Sequence, residues 1–270
     1  MSEKQFQQLQ DDVMTGYLNC SFGDVFPQVI TDSFMSLGKK TNPFRQCLSD
    51  HPGIIGILKC LPTLQRACYE AKAVVLKTLR YTMKRALTLM ARDSKVKVIH
   101  LIRDPRGTLR GQMVTGLHPH KAVGNYSREF CAGVLKDLAM VDQAKKRFPE
   151  RLIRVRYEDI ALQPVTFARK LLAFAGLSLS DRHRKYLEKM TNATNVKICH
   201  NCINVLKTNS SASAFLWRRE SDFYHTSRID ASCGQVYKRA GYLPLNRKEE
   251  LLNMTVPSML MTGSVPGFLA

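Results

Sequence analysis

The stretch KVIHLIRDPRGTLRGQM, residues 97–113, decides how this chain is read. Its first half is an aliphatic run of strand type, and it passes without a spacer into Arg103, Asp104, Pro105 and Arg106. Asp104 has the chemistry of a helix N-cap and Pro105 suits a first helical turn, so a strand is expected to end at Arg103 and a helix to start just after it. In a doubly wound sheet, ligands sit just beyond the C-terminal ends of strands. A helix starting there offers unbonded N–H groups and the positive end of its dipole. Arg103, Arg106 and Arg110 add planar guanidinium forks that can hold phosphate oxygens in pairs. The expectation is a phosphate grip. The same residues also fit an ordinary surface ion pair at a helix start, and the local sequence does not choose between the two.

Working outward, KAVVLKTLR (72–80) reads as a strand, and residues 81–94 as a helix with Met83, Leu87 and Met90 on one face. KVKVIHLI (95–102) reads as a buried strand, residues 128–148 as a helix and RLIRVRYEDI (151–160) as a further strand. PVTFARKLLAFAGL (164–177) is a helix opened by Pro164 and closed near Gly176. Strands separated by helices argue an α/β fold with a central parallel sheet and helices on both faces. Residues 1–71 show no clean period and read as an irregular N-terminal part with short helices. Residues 72–245 form the α/β core, and residues 246–270 read as a weakly ordered C-terminal tail.

The chain has 270 residues, 44% of them hydrophobic, enough for a substantial core. Its net charge of +19 points to an anionic partner: a nucleotide, a nucleic acid, an acidic glycan or an anionic membrane surface. Nucleic acid has only this charge in its favour, with no recognisable module and little aromatic interleaving. No run of about 18 apolar residues occurs, and the N-terminus MSEKQFQQLQDD lacks a signal-peptide core, so no targeting segment is visible. Five of the ten asparagines (Asn19, Asn125, Asn192, Asn209, Asn253) begin Asn-X-Ser/Thr sequons, an excess that leans toward a lumenal protein. The eight cysteines permit disulfides, and the tight pair in CHNC (199–202) lacks the further ligands that a zinc site needs, so no metal is expected.

The wider pattern settles the open choice. HLIRDPRGTLRGQM (100–113) resembles the 3′-phosphate-binding segment, approximately LVRDPRAxxxSR, of the Golgi carbohydrate sulfotransferases, the galactose, N-acetylglucosamine and N-acetylgalactosamine 6-O-sulfotransferase group. FCAGVLKDL (130–138), VRYEDIALQP (155–164), TNSSASAFLWR (208–218) and CGQVYKRAGY (233–242) are similar to later motifs of that family, in the same order, over roughly residues 70–245. The resemblance implies a P-loop-like sulfotransferase fold in the Golgi lumen or membrane. It implies transfer of a sulfuryl group from 3′-phosphoadenosine 5′-phosphosulfate (PAPS) to a sugar hydroxyl of a glycan or glycosaminoglycan. Members of the family carry a membrane anchor, and none is seen in this chain.

Two departures qualify that expectation. The family's RSGSS-type turn for the 5′-phosphosulfate has no counterpart: LNCSFGDVF (18–26) lacks a basic residue, and SLGKKTNPF (36–44) has no strand feeding it. The first strand therefore reads as missing and catalytic competence as impaired, with a non-catalytic phosphate- or polyanion-binding remnant of the fold as the alternative. Gly111 and Gln112 stand where the family has serine and arginine, and losing one hydrogen bond to a charged phosphate costs about 1.5–3 kcal/mol. Thr108 is expected to compensate. The expected nucleotide-binding residues are Arg103, Arg106, Thr108, Arg110 and Ser210, with Ser211 in the same serine-rich stretch. Tyr157, Glu158 and Asp159 sit at a strand end and read equally well as site-lining or as core and capping residues. His118, His120, His200 and Glu158 are chemically able to act as the base, and none is singled out.

Overall fold

The computed structural model describes residues 2–23, 25–36, 38–79, 81–116, 122–193 and 207–269. The chain divides into two compact units, Met1–Tyr81 and Thr82–Ala270. Among the described residues no helix is long and apolar enough to cross a membrane.

The first unit is helical, not irregular: α1 (Glu3–Leu18), α2 (Pro27–Ile30), a 3₁₀ turn (Ser33–Ser36), α3 (Asn42–Asp50) and α4 (Gly53–Tyr69). α1 starts with a capping box in which Ser2 and Gln5 each bond the other's backbone N–H. Phe22, Ile30, Phe44 and Leu64 form the buried centre, and disulfides Cys20–Cys68 and Cys47–Cys60 cross-link it. So small a core gains much from such staples. The expected strand at 72–80 is absent: described residues 72–79 have no regular structure, and Val75 and Leu79 are exposed. Among the described residues their β-branched composition has no strand to pair with, and propensity alone does not make a strand.

The second unit holds the α/β core. α5 (Met83–Arg92) leads into β1 (Val98–Ile102), followed by α6 (Pro105–Val114) and α7 (Val123–Arg147), then β2 (Leu152–Arg156). The strands are parallel, Val98 opposite Leu152 through Ile102 opposite Arg156. The chain continues through α8 (Tyr157–Leu162), α9 (Pro164–Phe174), α10 (Asp181–Thr191), α11 (Ser210–Phe215), α12 (Trp217–Glu220), α13 (Phe223–Ala240) and α14 (Lys248–Leu252). Among the described residues the sheet has these two strands, so the α/β reading holds while the expected central sheet is reduced to one parallel pair. Ile99 and Leu101 of β1 are 43% and 49% exposed, so helices do not cover both faces.

α7 and α13 pack lengthwise through Leu138, Ile229, Val236 and Tyr237, and are joined by Cys131–Cys233. A loop of about 100 residues closed this way stabilises by about 4.7 kcal/mol in the chain-entropy account. All cysteines among the described residues are in disulfides, and Cys199 and Cys202 of the CHNC pair lie outside them.

The two compact units meet at Tyr81 and Thr82, whereas the sequence reading sets its divisions at 71/72 and 245/246. The C-terminal stretch is built into the core: Leu251 and Val265 are buried, Phe268 lies under the Arg154 guanidinium, and Leu269 N–H donates to the Arg154 carbonyl at 2.8 Å. Its glycines and prolines read as a tail, but the apolar residues spaced between them find a surface to cover.

Candidate phosphate-binding site

The turn after β1 follows the local sequence closely. Asp104 caps α6, its carboxylate accepting from Arg106 N–H at 2.9 Å, and Pro105 occupies the first helical position. β2 ends beside it at Arg156, where Tyr157, Glu158 and Asp159 open α8, and the two strand ends are bolted together. Asp104 N–H donates to Glu158 Oε1 and Tyr242 O–H donates to Glu158 Oε2, each at 2.9 Å. Glu158 is 1% exposed, and burial, with Asp104 nearby, pushes its carboxyl up to about 7. It is not placed to serve as a base, because both oxygens are engaged inside the protein. Asp159 is buried in a two-pronged ion pair with Arg156 at 2.8 and 2.9 Å and accepts from Thr262 O–H. These two acids are internal, whereas Tyr157 lies under Arg103.

Glu158 gives the fold a pH dependence of definite sign. A carboxyl titrating near 7 in the folded chain and near its ordinary value unfolded keeps a proton on folding. Its contribution is therefore complete at about pH 4 and is lost as pH rises through about 7. A shift of this size corresponds to up to about 3 kcal/mol. Glu158→Gln keeps an acceptor for Asp104 N–H and removes the titration. Urea unfolding should show the wild type losing more stability than the variant between about pH 5 and pH 8; parallel losses would sink the assignment.

The four expected arginine and threonine ligands are not equivalent. Arg103 is exposed, its guanidinium 4.8 Å from the centre of the Tyr157 ring. Arg106 is the opposite, 1% exposed and saturated. It forks onto Asp104 at 3.0 and 2.8 Å, donates to the carbonyls of Leu243 and Ser258, and is stacked between Trp217 and Tyr237. Burial opposes its charge, yet Asp104, Tyr237 and Asp230 together raise its pKa above the ordinary arginine value. The expectation that Arg106 grips the phosphate is thus replaced by an internal role, because every face of its guanidinium is occupied. Thr108 is half-buried. Arg110 is partly exposed and pairs with Glu220 at 2.8 Å.

At Gly107 the Trp217 ring of α12 comes close to α6. A Cβ there would stand 2.9 Å from Trp217 Cδ1 and 3.5 Å from Arg103 Nε, so the missing side chain lets the indole seat beside Arg103. Ser210 opens α11, which packs on α8; its hydroxyl donates to the Ala161 carbonyl at 2.7 Å, as Ser211 does at 3.2 Å. Both hydroxyls keep their acceptor capacity but spend their proton within the protein. Gln112 Oε1 accepts from Tyr126 O–H at 2.9 Å. His118, His120 and His200 lie outside the described residues. Glu220, and the tie of Tyr242 to Glu158, carried no signal in the sequence, since the partners are 110 and 84 positions apart.

The unit that holds this site carries most of the charge. Residues 82–270 carry 32 Lys and Arg against 15 Asp and Glu, a net +17 of the chain's +19. The arrangement, an exposed guanidinium at a parallel strand end beside a capped helix start on a basic unit, is suited to an organic phosphate.

Residues 59–181 match the sulfotransferase family. The chain is similar to human carbohydrate sulfotransferase 6, at 24% identity over 221 residues, covering 74% of this chain and 56% of that protein. It is also similar to zebrafish (Danio rerio) carbohydrate sulfotransferase 1, at 26% over 206 residues, 70% of this chain and 49% of the relative. For human carbohydrate sulfotransferase 3 the figures are 26% over 210 residues, 70% and 43%. The chain spans about half the length of the curated relatives it matches. No solved structure matches it.

Proposed function

We propose, for a chain that carries a sulfotransferase-family domain over residues 59–181 and resembles carbohydrate sulfotransferases, that it binds PAPS and passes the sulfuryl group to a sugar hydroxyl of a glycan or glycosaminoglycan. The observation that carries this reading is Arg103, exposed at the end of β1 and held over Tyr157 beside the capped start of α6. In sulfuryl transfer the protein aligns the hydroxyl with the leaving phosphate and neutralises the charge that develops there. Arg103, Thr108, Arg110 and Ser210 are the residues assigned to the nucleotide, and Arg106 positions the turn from inside. No metal is assigned a part. The setting proposed is the lumen of the Golgi, supported by three disulfides and by sequon asparagines that are all exposed. Transfer of labelled sulfate from PAPS to glycan acceptors tests the reaction: PAPS binding without transfer would refute the transfer, and absence of both would refute the nucleotide site as well.

A second reading, a phosphate or polyanion binder without turnover, is favoured by one observation. Among the described residues the other parallel strand end carries Glu158 and Asp159, both buried, instead of a second basic turn. It predicts binding of adenosine 3′,5′-bisphosphate and heparin with no sulfate transfer.

Gly111 offers a test in the gaining direction. Its φ is not positive, and a Cβ there meets nothing within 4 Å. Gly111→Ser places a hydroxyl where the resembling family has one, and a hydrogen bond to a charged phosphate contributes at least about 1.5 kcal/mol. Calorimetry should show adenosine 3′,5′-bisphosphate bound roughly tenfold tighter, with a small gain in thermal stability from better helix propensity. Unchanged affinity would mean the phosphate lies off this face of α6.

A further inference from the structure

We infer that Arg110 and the indole N–H of Trp217 complete the anion site that Arg103 begins, and that Glu220 is the resident carboxylate a phosphate must displace from it. The inference rests on the phosphate-binding reading above, in which Arg110 already has a part, and adds Trp217 and Glu220 to that site.

Two short stretches lie side by side. Trp217 Cδ1 and Arg103 Nε both crowd the Gly107 position on α6. One helical turn further along each partner, Arg110 Nη1 meets Glu220 Oε2 at 2.8 Å. Arg103, Trp217, Arg110 and Glu220 thus line one strip of α6. Within that strip two donors, Trp217 Nε1 and Arg110 Nε, are buried and have no acceptor among the described residues. Buried donors without partners are rare in folded proteins, and a pair of them beside an exposed arginine marks where an acceptor from outside fits. Trp217 is 3% exposed and is held by stacking on Arg106, so its N–H is aimed by the protein and not by chance rotation.

Glu220 already does in part what a phosphate would do. It places a carboxylate oxygen on Arg110, while 38% of its side chain is exposed, so the contact is accessible to a competitor and weak enough to exchange. A phosphate carries more charge and more acceptor oxygens than a carboxylate, and can satisfy Arg103, Arg110 and the indole together. Glu220 then sets how tightly the nucleotide is held and how readily it leaves. The second guanidinium also fits the sequence: Gln112, where the resembling family has arginine, is taken by Tyr126, and Arg110 stands two positions earlier.

The test is calorimetric titration of adenosine 3′,5′-bisphosphate into the whole chain and its variants. Glu220→Gln should bind roughly fivefold tighter, the factor by which an exposed ion pair of this kind occupies Arg110. Trp217→Phe keeps a ring over Arg106 but lacks the N–H, and should bind roughly tenfold weaker. Arg110→Ala should bind weaker, and adding Glu220→Gln to it should regain nothing, because the competition is for that guanidinium. Trp217 is the single tryptophan, so its fluorescence reports the same titration in wild type and Glu220→Gln. If Glu220→Gln binds no tighter, the inference is overturned while the role of Arg103 stands, and this surface variant decides the matter even if Trp217→Phe misfolds. If the wild type does not bind the nucleotide at all, the proposed function falls and this inference with it.

Discussion

Arg106→Met should cost the fold about 3–5 kcal/mol, among the largest effects expected of a single replacement in the second unit. The methionine roughly replaces the volume between Trp217 and Tyr237, so the loss is electrostatic and polar. Asp104, 2% exposed, would lose both prongs of its ion pair, and the carbonyls of Leu243 and Ser258 would lose a donor each. Most of the penalty is the orphaned carboxylate, and the double variant Asp104→Asn/Arg106→Met should therefore be more stable than Arg106→Met alone. The asparagine still caps α6. Urea unfolding of the three proteins measures this. A single variant within about 1 kcal/mol of wild type, or a double variant that is worse, would show that Arg106 is not the tie between the turn and residues 243–258.

Arg103→Ala should weaken binding of adenosine 3′,5′-bisphosphate by roughly a hundredfold or more while leaving the melting temperature almost unchanged. Two charge-assisted hydrogen bonds at about 1.5 kcal/mol each sum to about 3 kcal/mol, and a bidentate fork supplies both. The side chain is exposed and touches chiefly the Tyr157 ring, so its removal leaves no buried partner behind. Arg103→Lys keeps the charge and loses the fork and the flat stacking on Tyr157, and should fall between wild type and alanine. The salt dependence of affinity should also become shallower in Arg103→Ala. Affinity within threefold of wild type would remove Arg103 from the site. The contrast with Arg106 is the sharper test: one arginine should matter for binding and not for stability, the other for stability first.

Much of the α/β core was legible because its signals are local. Asp104 and Pro105 mark the start of α6, Pro164 the start of α9, and the aliphatic runs before Arg103 and Tyr157 are the two strands. The first unit was not legible, since its helices are held by Cys20–Cys68 and Cys47–Cys60 as much as by any periodic apolar face. The stretch 72–79 misled in the other direction: it has the composition of a strand and, among the described residues, no strand to pair with.

The site divides along the same line. The sequence by itself determined that a strand ends in a basic turn and a helix starts there, because capping, proline geometry and alternation act over a few residues. It also carried the ordered motifs that resemble one family. Which arginine faces outward was decided only by the tertiary structure. Arg103 and Arg106 are three positions apart and chemically identical, and Asp104 beside them could have paired with either. Arg106 is internal because residues from 217 to 258 close over it with two rings, two carbonyls and Asp230. Arg110 is tied to Glu220 for the same reason. Burial and charge pairing are properties of what folds against a residue, and those partners lie more than a hundred positions along the chain.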